Sequence, residues 1–132
     1  MPPVTRWFVK LALVYFVAAL AVGVWQAAGG ALWLTPVYIH LLVVGWITGM
    51  IFGVAYWMFP KYSKDQPRGI DGLAVTSFVL LNVGLLLRLI GEPLLAVRPS
   101  PGAGRVLLIS GICQWLAGMA FIANTWPRVK ER

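Results

Sequence analysis

The chain is short of the residues that most chemistry uses. Its 132 residues hold one cysteine, Cys113, one histidine, His40, and four acidic side chains. A single cysteine excludes an internal disulfide and any CxxC redox or zinc motif within one chain. A single histidine excludes a metal site built only of histidines from one chain. No base stands beside a nucleophile, so a membrane hydrolase is excluded as well. Charge is scarce too: 11% of residues are charged against 60% hydrophobic, and the mean hydropathy is +0.81. That composition excludes an ordinary soluble domain. Eleven Lys and Arg against four Asp and Glu count like a nucleic-acid binder, but the basic residues lie between and beside apolar runs, and no nucleic-acid-binding motif accompanies them.

Long apolar runs are what the chain does contain. Four stretches, at 7–28, 36–59, 73–90 and 106–126, are long enough to cross a bilayer as helices, since about 20 helical residues span its hydrocarbon core. None shows the polar alternation of a membrane β-barrel. The expected fold is therefore all-α, an integral membrane four-helix bundle forming one transmembrane domain over 1–132. Thr35-Pro36 predicts an N-cap and first turn for the second helix, and Asp71-Gly72 an entry to the third. Pro60 and Pro127 predict stops. Gly91–Arg105, rich in Pro and Gly, predicts an irregular connection. All four acidic residues then fall outside the helices, which argues against a proton-coupled exporter that exchanges protons for substrate on a membrane-embedded carboxylate.

Basic residues set the expected orientation. Arg6, Lys10, Lys61, Lys64, Arg68, Arg128, Lys130 and Arg132 put eight on one side, against Arg88, Arg98 and Arg105 on the other. The positive-inside rule then places both termini in the cytoplasm, in the inner membrane of a bacterium or archaeon. Trp25 and Trp33 read as an outer aromatic belt, and Trp7, Trp57 and Trp126 as an inner one. The first stretch also has the basic start, apolar middle and small-residue end of a secretory signal, Ala27-Ala28-Gly29-Gly30-Ala31, but its apolar run is long for one.

The second helix carries the strongest pattern: His40, then Gly45, Gly49 and Gly53 at four-residue spacing, then Tyr56, Trp57 and Pro60. At about 100° per residue the glycines lie about 140–220° around the helix from His40. Small residues at that spacing let another helix backbone approach closely. Val43, Val44, Ile47, Ile51, Val54 and Met58 fall on the His40 face by the same arithmetic. The run HLLVVGWITGMIFGVAYWMFP resembles the second transmembrane helix of the haem–copper oxidase catalytic subunit, especially that of nitric oxide reductase. The resemblance implies that His40 ligates a haem near the outer surface and that Gly53, Tyr56, Trp57 and Pro60 form the closing motif. It covers 21 of the 132 residues. The family's opposing histidine, and the histidines of its binuclear centre, have no counterpart in a chain with one histidine. No complete oxidase or reductase centre can be built here, and the chain reads as a small stand-alone relative.

Taken with the resemblance, the residues imply a b-type haem held by His40. Arg88, at a similar depth, is a candidate partner for a haem propionate; a snorkelling side chain, or an ion pair with Glu92 one turn along, is the other reading. One histidine per chain makes a symmetric homodimer sharing one haem the simplest six-coordinate site, and one five-coordinate haem per chain, open to NO, CO or O2, its variant. The function expected is electron transfer or gas binding, with the bilayer and a respiratory-chain component as partners. The competing expectation is a cofactor-free accessory or assembly subunit of a respiratory complex. Asn82, Gln114 and Asn124 are expected to join helices, and Cys113 to pack.

Overall fold

A computed structural model describes residues 1–130; Arg132, one of the eight basic residues assigned to the cytoplasmic side, lies outside them. The fold is an all-α four-helix bundle, with no strand among the described residues. Helix α1 spans Pro3–Ala27, α2 Leu32–Met58, α3 Asp71–Val97 and α4 Pro101–Thr125, the last followed by a 3-10 turn at Trp126–Arg128. Each is long and apolar enough to cross a membrane.

The helices pair as two antiparallel hairpins. In the first, the glycine strip of α2 is buried against α1. A methyl group built on Gly53 would lie 2.7 Å from Phe8 Cβ, one on Gly45 2.8 Å from Tyr15 Cβ, and one on Gly49 3.5 Å from Ala12 Cβ. Lipid supplies no hydrophobic drive between helices, so this closeness of backbones is itself the source of packing energy. In the second hairpin, Ala103, Ser110, Ala117 and Asn124 recur every seven residues along α4, and all are buried. They meet α3 in a fixed register: Ser77 Oγ donates to the Ala117 carbonyl at 2.9 Å, Ser110 Oγ to the Gly84 carbonyl, and the Ile70 amide to Asn124 Oδ1 at 2.8 Å. The residue numbers of each facing pair add to the same total, as an unbroken antiparallel seam requires. A seven-residue spacing keeps one helix face against its neighbour along the whole contact. Aromatic contacts join the hairpins, with Phe8 edge-on to Phe78 at 5.0 Å and Phe52 stacked on Phe121 at 4.0 Å. Tyr15 also donates to Asn82 Oδ1 at 2.8 Å.

Several expected boundaries move. The connection expected to be irregular at Gly91–Arg105 is mostly helix: α3 runs on through Gly91 and Pro93 to Val97, and α4 starts at Pro101. Gly91 is buried against Leu107 and Val106, so packing on α4 holds the backbone helical through the point where Pro93 removes a hydrogen bond. Ser100 is the true cap of α4, its Oγ accepting from the Ala103 amide at 3.2 Å, with Pro101 at the first helical position. The extension brings Glu92 inside α3, which corrects the expectation that no helix carries an acidic side chain. Thr35 is not the cap of α2 either. A 3-10 turn at Leu32–Leu34 precedes it, and Thr35 Oγ1 donates back to the Leu32 carbonyl at 2.7 Å.

Candidate functional site

Directly after His40, α2 changes its winding. Over Leu41–Thr48 the backbone bonds in the wide π pattern, and Thr48 Oγ1 donates to the Val43 carbonyl at 2.8 Å. π turns are rare and concentrate at functional sites. The wider turn also shifts the side-chain phase from 100° per residue. Val44, expected beside His40, instead packs against the core containing Phe8 and lines a central cavity with Tyr15, Asn82 and Leu85. The outward stripe consists of Ile39, Val43, Ile47 and Ile51, all exposed.

His40 is one of three polar side chains gathered at this end of the bundle. Its Nδ1 lies 2.8 Å from the Pro36 carbonyl and 3.1 Å from Glu92 Oε1. Glu92 Oε1 is in turn 3.6 Å from Arg88 Nη1, one turn back along α3. The His40 side chain is 27% exposed, that of Arg88 21%, and that of Glu92 10%. Because a carbonyl oxygen can only accept, the Pro36 contact requires the proton on Nδ1, and neutral His40 then carries its lone pair on Nε2. The cluster is incomplete: Arg88 Nε and Glu92 Oε2 are both buried without a hydrogen-bond partner.

Arg88 therefore reaches His40 through Glu92. On its other side, Nη2 lies 3.7 Å from the position a methyl group on Gly111 would take. Arg98 sits at the joint between α3 and α4, and Arg105 within the first turns of α4. Glu92 is the site residue that the sequence reading left outside the helices. Its spacing of four from Arg88 is the helix-pair signal that marks it.

The opposite end of the bundle is closed. Arg128 is fully buried, at 0% exposure, and its guanidinium donates to three carbonyls: Phe59 at 2.8 Å, Pro60 at 3.0 Å and Arg68 at 3.4 Å. Two of these lie at the C-terminal end of α2, whose last carbonyls lack helical partners. The guanidinium carbon also stands 5.6 Å from the centre of the Tyr56 ring, and Tyr56 donates to Asp71 Oδ1 at 2.7 Å. Asn124 closes the same loop by accepting from the Ile70 amide and donating to the Arg68 carbonyl at 3.5 Å. Of the closing motif that carries the resemblance to the oxidase helix, Gly53, Tyr56 and Pro60 thus have packing or hydrogen-bonding partners within this chain, while Trp57 is exposed.

Among the described residues no three His, Cys, Asp or Glu side chains stand close enough to bind a metal ion. The central cavity is about 10 Å³, far too small for a porphyrin. A planar cofactor would lie against the outside of the described residues rather than in this cavity. Gln114 bonds within α4 to Ser110 at 3.3 Å, whereas Asn82 joins α1 to α3. Cys113 is a free thiol packed near Gly84. Compared with known proteins, the chain matches no family model, no curated protein and no solved structure.

Proposed function

We propose that this is a small membrane protein that binds a b-type haem through His40 Nε2, for electron transfer or for binding a gas such as NO or O2. The observation that carries the reading is the commitment of His40 Nδ1 to the Pro36 carbonyl and Glu92. A ligating histidine uses one ring nitrogen for the metal and donates the other to a carbonyl or carboxylate. The single histidine and the small central cavity favour a haem shared across a two-fold axis between two chains. The apolar stripe Ile39, Val43, Ile47 and Ile51 then flanks the ring. The unpartnered Nε of Arg88 supplies a donor for a propionate. When bound, the haem would supply the redox or gas-binding chemistry, and the chain supplies the ligand, the apolar wall and the neighbouring charge.

In this reading both termini are cytoplasmic and His40 lies near the outer surface of a bacterial or archaeal inner membrane. Labelling of an introduced cysteine at position 31, but not one near position 130, from outside intact cells supports that orientation; the reverse overturns it. The second reading, a cofactor-free accessory subunit, is favoured by the closed Arg128 end, which accounts for Gly53, Tyr56 and Pro60 without any cofactor. Haem content of the purified protein separates the two. Wild type from haem-replete cells is expected to carry about one haem per two chains. One high-spin haem per chain indicates a five-coordinate site instead, and colourless protein overturns haem binding in favour of the accessory role.

A further inference from the structure

We propose that Glu92 is the positioning residue of the His40 site: its Oε1, 3.1 Å from His40 Nδ1, sets a negative charge beside the Nδ1 proton that the Pro36 carbonyl accepts, holding the ring with Nε2 free. The part concerning haem rests on the reading above; the part concerning His40 stands without it.

The geometry is a chain of contacts that runs Arg88 to Glu92 to His40 to Pro36. Glu92 is nine-tenths buried and stands in an apolar helix, so it needs compensation close by. Burying a carboxylate is unfavourable unless an opposite charge and hydrogen bonds offset it. Arg88 Nη1, at 3.6 Å, supplies the charge, and His40 Nδ1 stands 3.1 Å from the same carboxylate oxygen. The Pro36 carbonyl alone, four residues back on the same helix at 2.8 Å, would satisfy the ring proton. The carboxylate is therefore not required to pair the imidazole, and what it adds is negative charge and a second fixed direction, from α3.

Two consequences follow for the ring. A carboxylate facing the ring from another helix restricts rotation about the Cβ–Cγ bond, so Nε2 keeps one heading. A carboxylate beside Nδ1 also makes Nε2 a stronger electron donor to a bound metal, as in carboxylate–histidine–metal arrangements. Bound to iron, such a histidine favours the ferric state and lowers the reduction potential. The position of Arg88 explains why it is conspicuous at the depth of His40: it balances the charge of Glu92, and its Nε still has no partner.

The test uses full-length protein with Glu92→Gln, which keeps the size and an acceptor oxygen but removes the charge, alongside Glu92→Ala. Because His40 is the single histidine, imidazole 15N and Nδ1-proton resonances of haem-free protein in detergent report it without ambiguity. The wild type is expected to show a protonated, strongly downfield Nδ1 and an unprotonated Nε2, with Glu92→Gln moving the Nδ1 proton upfield. On haem-loaded protein, Glu92→Gln is expected to raise the midpoint potential while leaving the axial-ligand spectrum in place. Glu92→Ala is expected to weaken haem binding about 10–100-fold, the usual cost of losing a partner behind a metal ligand. An unmoved Nδ1 resonance in Glu92→Gln overturns the assignment, whatever the haem result. Colourless wild type with the resonance shift intact overturns haem binding alone and leaves Glu92 as the partner that orients His40.

Discussion

The two ends of the bundle treat buried charged groups in opposite ways, although the hydroxyl Thr5 Oγ1, near Gly53 at the Arg128 end, is also buried without a partner. At the Arg128 end a fully buried guanidinium meets three carbonyls, while Tyr56, Asp71 and Asn124 pair with one another or with the loop. At the His40 end Arg88 Nε and Glu92 Oε2 are buried and unpaired. A buried polar atom without a partner costs about 1–3 kcal/mol, so a cluster that exists only for stability would not leave two. The closed end therefore explains how the chain holds together, and the open end is where a ligand gains most. The π turns of α2 fall on the open side of this division, directly after His40.

The difference is sharpest in stability, where the closed end should be far more sensitive. Arg128→Ala takes the shared donor from the Phe59, Pro60 and Arg68 carbonyls and empties the space of a fully buried side chain; it is expected to cost about 3–5 kcal/mol, read as a large fall in the thermal unfolding midpoint in detergent. Arg128→Lys should recover only part of this, since a single ammonium cannot reproduce the planar fork. Next comes the glycine strip. Gly53→Ala drives a methyl to 2.7 Å from Phe8 Cβ and is expected to cost about 1–3 kcal/mol by overpacking. Gly49→Ala, with its nearest neighbour at an ordinary 3.5 Å, should be near neutral. Equal losses for the two alanines would break the account of helix contact. Tyr56→Phe removes one hydrogen bond to Asp71 and should cost about 1 kcal/mol. Smallest of all, His40→Ala at the open end is expected to change unfolding by about 1 kcal/mol, since the imidazole is partly exposed and loses one hydrogen bond. A loss as large as that of Arg128→Ala would make the open end structural and erase the contrast.

Much of this architecture is legible in the sequence, and the parts that are not have physical reasons. The four spans can be read because lipid admits only backbones satisfied within the segment, and that constraint turns hydropathy into topology. The strip Gly45, Gly49, Gly53 can be read because its spacing matches the helix turn. The seam Ala103, Ser110, Ala117, Asn124 is equally regular, but mixed residue types hide its seven-residue recurrence. Helix ends are read poorly wherever tertiary packing outweighs local preference. Pro93 looks like a stop, yet Gly91 against Leu107 carries α3 past it, and that one turn brings Glu92 into the site. The phase of Val44 is misjudged because no local rule signals that α2 winds in the π pattern after His40. Arg128 counts in the sequence only as an orienting charge. Its partners lie sixty or more positions away, beyond any local pattern.

Whether His40 makes the open end a haem site is read from the visible spectrum of the purified protein. Spectra are taken oxidised and after dithionite, for wild type and for His40→Ala expressed in haem-replete cells. The account predicts b-type α and β bands in reduced wild type and their loss in His40→Ala, with the two proteins unfolding at closely similar temperatures. A colourless wild type, or bands that survive in His40→Ala, would contradict it.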